Sequence, residues 1–229
     1  MDREKLAGIK LFLDTADPEI WRRWLPMGLF YGVTTNPVLI AGDNSRSFLK
    51  ASDLVQEVFE FGIQELHIQA WGTTPDEIYS VGSRLAELHP EVVVKIPVTP
   101  TGVEAAVRLL RVGTRVNMTT VFSSYHVVVA SAIGADFVAP YFGRIQDAGR
   151  DALAEVSQMQ KILSATKTRT KLLVASIRSV REISYLGAAG VQLFTFGDTV
   201  AEAMFSDWDA LHVAGTMEDC AETLGDSWL

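Results

Sequence analysis

A lysine set inside an apolar strand is the first residue of this chain that could do chemistry. Lys95 stands in VVVKIPV, with three valines before it and Ile-Pro-Val after it. Flanks of that kind draw the amine out of water. Burying an ammonium is costly, so the group tends to lose its proton. A neutral amine is the nucleophile that attacks a ketone to give an imine. The structural alternative is a lysine that pairs with a carboxylate or snorkels to solvent at the strand end. Asp14 closes the run KLFLDT. Facing the same cavity, it could move a proton on a substrate hydroxyl. Its structural alternative is to cap the stretch that begins at Asp17-Pro18. Arg144, Arg178 and the Ser176 hydroxyl could clamp a phosphate, because guanidinium forks match its oxygens. The alternative for these is solvated loop charge.

Other chemistries find little support. His67, His89, His126 and His212 are scattered, and no pair has metal-ligand spacing. No metal and no cofactor are expected. His67 is expected to pack on the outer face of its strand, and His126 to lie in a helix. No GxSxG elbow, GxGxxG turn or P-loop occurs. Cys220 is the single cysteine, which rules out an intramolecular disulfide and reads as a plain thiol. The formal net charge of -8 argues against a nucleic-acid or anionic-membrane partner. An anionic substrate must therefore be met by local basic groups. No run approaches the ~20 apolar residues of a membrane span. The opening MDREKLAGIK has no apolar segment of the secretory kind. A cytoplasmic location is the expectation.

The elements that would position these groups are short apolar runs alternating with longer amphipathic ones, the pattern of βα units on a parallel sheet. Eight runs read as strands: KLFLDT from Lys10, YGVTTN from Tyr31, ELHIQA from Glu65, VVVKIPV from Val92, RVNMTTV from Arg115, FVAPYF from Phe137, KLLVASI from Lys171 and VQLFTF from Val191. Their Val, Ile, Leu, Phe and Thr content suits buried strands. Between them, Ser47 to Phe61 places Phe48, Leu49, Val55, Val58 and Phe59 on one helical face. Thr74-Pro75 followed by Asp76-Glu77 predicts a helix start, and Thr101 with Glu104 has capping-box spacing. Gly62, Gly113, Gly134 and Gly190 each stand where a helix would stop.

Eight such units in 229 residues predict one α/β domain, a (β/α)8 barrel, over 1–229. A doubly wound open sheet is the alternative. The tail from about 207, with Trp208, Leu211, Met217 and Leu224, adds a further helix. A barrel of this kind carries its chemistry at the C-terminal ends of its strands. Those ends hold Asp14; Thr34 and Asn36; Gln69; Lys95; Asn117 and Thr119; Tyr141 and Arg144; Ser176 and Arg178; and Thr195. A polar group at a strand end is ordinary, because strands end in water; a full ring of them is less so.

Along nearly its whole length the chain resembles the transaldolase family, in particular the small members that include fructose-6-phosphate aldolase. LFLDT, GVTTNP, VVVKIPVT, VNMTTVFS, VAPYFGRI and VASIR, in this order, carry the resemblance. It implies an imine-forming lysine on strand four, Lys95, and an acid/base aspartate, Asp14. Thr34 and Asn36 would hold substrate hydroxyls, and Asn117 a hydroxyl near the imine carbon. Gln69 and Thr119 would hold a catalytic water, with Tyr141 beside it. Arg144, Ser176 and Arg178 would bind the phosphate of a sugar phosphate. Gln69, Ala139 and Tyr141 resemble the aldolases, which release dihydroxyacetone. Asn117 resembles the transaldolases, which pass that unit to another sugar phosphate in the pentose phosphate pathway. The family also implies a homo-oligomer, with Trp208 and Trp228 available near the tail. A non-catalytic phosphosugar-binding barrel would keep the anion-binding groups without using Lys95 and Asp14. A proton-shuttling isomerase would need the carboxylate alone.

Overall fold

The computed structural model describes residues 8–42 and 50–224. Its strands are β1 (Lys10–Asp14), β2 (Phe30–Thr34), β3 (Glu65–Gln69), β4 (Val92–Pro97), β5 (Val116–Val121), β6 (Phe137–Pro140), β7 (Lys171–Ile177) and β8 (Leu193–Phe196). They pair in chain order, all parallel, and β8 returns to β1 through Lys10↔Leu193 to Leu13↔Phe196. The sheet is therefore a closed (β/α)8 barrel rather than an open one. The helices are α1 (Pro18–Trp24), α2 (Pro37–Ile40), α3 (Ala51–Glu60), α4 (Pro75–Ala86), α5 (Pro100–Arg111), α6 (Ser124–Ala132), α7 (Phe142–Asp147), α8 (Ala152–Thr166), α9 (Val180–Ala188), α10 (Asp198–Ala203) and α11 (Trp208–Leu224).

Alternation along the strands sorts the side chains into two cores. Leu11, Leu13, Leu66, Ile68, Val92, Val94, Ile96, Val138, Val174 and Phe194 face the helices in one large cluster. Phe12, Val93, Phe137, Leu173 and Leu193 form a small separate cluster inside the barrel. Two residues further along their strands, and so on the same inner side, stand Asp14, Lys95 and Thr195. The apolar layer is the floor on which the polar groups rest.

Local signals start and stop the helices. The Thr74 hydroxyl accepts from Glu77 N while the Glu77 carboxylate reaches back to Thr74 N, a complete capping box. The box expected at Thr101 and Glu104 is displaced. Pro100 takes the first helical position, so Thr99 caps α5 and accepts from Gly102 N at 3.0 Å. Asp17, not Asp14, caps α1. Gly62, Gly113, Gly134 and Gly190 all have φ between 73° and 88°, the left-handed conformation that ends a helix. In α3, Val55 and Val58 are buried and Phe59 packs beside them; Phe48 and Leu49 lie outside the described residues. The tail helix α11 buries none of its residues, and Trp208 is 70% exposed; Trp228 lies outside the described residues. Among the described residues no helix is long and apolar enough to cross a membrane.

Candidate active site

A cleft of about 460 Å³ opens at the C-terminal end of the barrel, a size that suits a small ligand. Asp14, Asn36, Gln69, Lys95, Tyr141, Arg144 and Ser176 line it, as do Val38, Leu39, Thr120 and Ala175. The fold thus brings together seven of the residues singled out from the sequence.

Lys95 lies at the bottom. It is 4% exposed, and its Nζ donates to the Thr35 carbonyl at 2.9 Å. Among the described residues it forms no ion pair. Burial pushes its pKa down, and the Asp14 charge opposes that shift only in part. The carboxylate-paired alternative is thereby set aside. Asp14 Oδ1 accepts from the Thr34 hydroxyl at 2.5 Å, and Thr34 in turn lies 2.7 Å from the Thr195 hydroxyl. Thr34 is buried beneath the cleft with both neighbours engaged, so its contact is with the carboxylate. Asn36 lines the cleft, yet its Oδ1 caps α2, accepting from Val38 N and Leu39 N at 2.9 and 3.1 Å. Its amide NH2 is the part left for a ligand.

On the opposite wall Thr119 Oγ1 donates to the Tyr141 hydroxyl at 2.8 Å. Burial holds the Tyr141 phenol above its ordinary pKa, so it stays protonated. Thr119 is fully buried and meets the cleft through that hydroxyl. Asn117 is also fully buried; its Nδ2 lies 3.0 Å from His67 Nδ1.

Two strand ends are bent by local strain. Thr120 (φ 58°) and Ser176 (φ 59°) both sit in the left-handed region, unusual for residues with a Cβ and more so for a β-branched one. Each coincides with a shift of register, between Met118 and Val121 in β5 and between Val174 and Ile177 in β7. The bends aim both residues at the cleft. Thr120 was not singled out from the sequence; TT before a valine carries no sign of a bulge.

The anion-binding groups form a rim. Arg144 lines the cleft, with Asp147 3.8 Å away. Arg178 stands outside the lining. Its two terminal nitrogens donate to the two Asp147 oxygens at 2.6 Å each, and this pairing holds the Asp147 carboxyl below its usual range. Gly143 makes room for the arrangement. A Cβ there would stand 2.6 Å from Arg178 Nε and 2.6 Å from the Ser176 carbonyl.

His67 corrects an expectation. It is inside the barrel, not outside, fully buried edge-on to Phe12 and Phe137 at ring centroid distances of 5.2 and 4.7 Å. In a parallel barrel both faces of a strand are covered, so ELHIQA gives no phase by itself. Its Nε2 lies 3.3 Å from Glu65. His126 lies in α6, as expected. Cys220 is an exposed free thiol. Among the described residues no three His, Cys, Asp or Glu side chains converge on a common point.

A closed eight-stranded parallel barrel with a buried lysine and an aspartate under its C-terminal cleft defines the class: a (β/α)8 barrel with its site in the usual place. The family follows from comparison. The model for the transaldolase/fructose-6-phosphate aldolase family matches residues 11–225, and the chain belongs to that family. A probable transaldolase of Streptococcus agalactiae is 31% identical over 198 residues, covering 86% of this chain and 90% of the relative. Probable transaldolases of Herpetosiphon aurantiacus and Pelotomaculum thermopropionicum are 35% and 34% identical, each over 189 residues; 82% of this chain matches 83% and 85% of them. The protein is an enzyme of the transaldolase or aldolase type. Among solved structures, a point mutant of flavocytochrome b2 superposes with a TM-score of 0.56 at 12% identity, over 83% of this chain and 56% of that one. That likeness concerns the barrel alone.

Proposed function

We propose that this enzyme is a Schiff-base aldolase that cleaves or forms fructose 6-phosphate, from dihydroxyacetone and glyceraldehyde 3-phosphate, at Lys95. The observation that carries the reading is the buried Lys95 amine, held by one neutral carbonyl and with its pKa pushed down by burial, under a cleft that also holds Asp14. In the proposed sequence, neutral Lys95 attacks the C2 ketone and water leaves. The iminium then draws electrons from the C3–C4 bond. Asp14 accepts the C4 hydroxyl proton as that bond breaks and glyceraldehyde 3-phosphate departs. The three-carbon enamine left on Lys95 is protonated, and water hydrolyses the imine. Gln69 and Tyr141, the latter anchored by Thr119, would hold that water. Arg144, Ser176 and Arg178 would take the phosphate, with Arg178 exchanging part of its bond to Asp147 for it. Thr34 would act through Asp14, and Asn36 through its amide NH2.

The second reading is a transaldolase, in which the enamine attacks an acceptor aldehyde before water can act. Asn117 and the relatives named probable transaldolase favour it. The two separate on one assay. The protein is given fructose 6-phosphate alone, and glyceraldehyde 3-phosphate is followed over many turnovers. Sustained release is expected. Silence that ends when erythrose 4-phosphate is added would make it a transaldolase.

A homo-oligomer is also part of the proposal. Trp208, Leu211, Val213 and Met217 are exposed on α11, which suits a helix that meets another copy. A cytoplasmic location fits a chain with one free thiol and no disulfide.

A further inference from the structure

The floor of the barrel carries a polar chain that the proposed steps do not use. Arg115 NH1 donates to Glu65 Oε1 at 3.0 Å, and NH2 donates to Glu91 at 2.9 Å. The other Glu65 oxygen lies 3.3 Å from His67 Nε2, and His67 Nδ1 lies 3.0 Å from Asn117 Nδ2. His67 and Asn117 have no exposed surface, and Glu65 is 6% exposed. They share their layer with Phe12, Phe137 and Val93. Asn117 Oδ1 is buried with no partner. Asn117 is paired in register with Lys95 across β4 and β5.

The direction of every proton in this chain follows from its Arg115 end and from the burial that pushes the His67 pKa down and favours the neutral ring. Arg115 keeps Glu65 an acceptor. Glu65 therefore takes the single N–H of a neutral His67 at Nε2. Nδ1 is left as an acceptor, so it must receive the NH2 of Asn117. The amide cannot turn over without setting its oxygen against the Nδ1 lone pair. Its carbonyl is left facing away from His67, an acceptor in want of a donor. A buried acceptor without a partner is costly, and a ligand hydroxyl would recover that cost.

We propose that Arg115, Glu65 and His67 are positioning residues that lock the Asn117 amide with its carbonyl toward the imine, so that the site selects ketones bearing a hydroxyl donor next to the reacting carbonyl. This rests on Lys95 being the imine-forming residue. It goes further by fixing the hydrogen-bond polarity of the donor-ketone subsite. An ether oxygen in place of the hydroxyl brings lone pair against lone pair and is refused.

The test reads polarity in two ways. Trapping with cyanoborohydride, followed by intact mass, compares hydroxyacetone with methoxyacetone on the native protein and on two variants. Glu65→Gln keeps volume and packing but inverts the chain. Arg115 holds the new amide oxygen, so the new NH2 faces His67 Nε2, the His67 proton moves to Nδ1, and the Asn117 amide turns over. His67→Phe keeps the ring between Phe12 and Phe137 and frees the amide. In both, the preference for hydroxyacetone over methoxyacetone should fall about tenfold, the scale of one buried acceptor left unpaired. Nitrogen-15 NMR of the His67 ring, assigned by its loss in His67→Phe, should show the Nε2–H form in the native protein and the Nδ1–H form in Glu65→Gln, with no ligand present. If His67→Phe fails to fold, Glu65→Gln and the native spectrum still decide. An Nδ1–H form in the native protein overturns the inference. So does a ketone preference unchanged in the variants while the native protein still traps hydroxyacetone. Absence of any adduct on the native protein overturns the imine reading as well.

Discussion

Replacing Lys95 by Met should do two separable things. It should abolish imine formation, and it should remove a pH dependence of stability that a buried neutral amine imposes. The unfolded chain holds the lysine proton up to a pKa of about 10.4. In the folded protein burial pushes that value down. Between the depressed folded value and the unfolded one, the unfolded chain therefore binds one proton more. Stability rises with pH where the unfolded state binds more protons, so native stability climbs through this window and levels off above it. The slope for one such group is about 1.36 kcal/mol per pH unit. From pH 8.5 to 9.5 the unfolded lysine remains mostly protonated, so the native protein should gain stability relative to Lys95→Met, by up to about 1.3 kcal/mol. Groups common to both proteins cancel in the difference. The lost hydrogen bond to the Thr35 carbonyl offsets the variant's curve by a constant and leaves the slope untouched. Equilibrium urea unfolding of the two proteins at the two pH values measures the difference. Parallel stability curves would refute the argument, because they would mean that Lys95 keeps its proton in the fold. Undiminished turnover by Lys95→Met would refute its chemical role independently.

Two further substitutions test the walls of the cleft. Tyr141→Phe keeps the ring against Phe122 but leaves the buried Thr119 hydroxyl without its acceptor. Sustained release of glyceraldehyde 3-phosphate should fall by roughly a hundredfold, the scale of a lost positioning and proton-transfer group, while borohydride trapping of the imine persists. Equal losses in both assays would place Tyr141 in imine formation instead. Gly143→Ala forces a Cβ against Arg178 Nε and the Ser176 carbonyl. It should lower stability by about 1–3 kcal/mol. It should also raise KM for fructose 6-phosphate without changing the trapping of unphosphorylated dihydroxyacetone. An unchanged KM would detach Arg178 from phosphate binding.

Much of this architecture was legible in the chain. Eight runs of Val, Ile, Leu and Phe set off by helix-stopping glycines specify strands because buried parallel strands need apolar side chains on both faces. Lys95 and Asp14 could be placed together because each stands late in such a run, where a barrel keeps its chemistry. Their shared phase came from the structure, in which each follows an inward Val93 or Phe12 by two residues. Pro75 after Thr74 marked a helix start that the structure reproduces.

What the sequence determined by itself, then, was the periodic part: strand, helix, barrel, and the polar ring at one end. Tertiary structure alone decided which partner each polar atom took. The inward turn of His67 follows from closure of the barrel around it, since ELHIQA is buried on both faces and carries no preference of phase. The Asp147 fork on Arg178 joins groups 31 residues apart. The left-handed Thr120 and Ser176 exist only because neighbouring strands hold the register shifts in place. Local periodicity is written in nearest neighbours and can be read from them. Hydrogen-bond direction and backbone strain are settled by groups distant in the chain, and only the folded barrel brings those into contact.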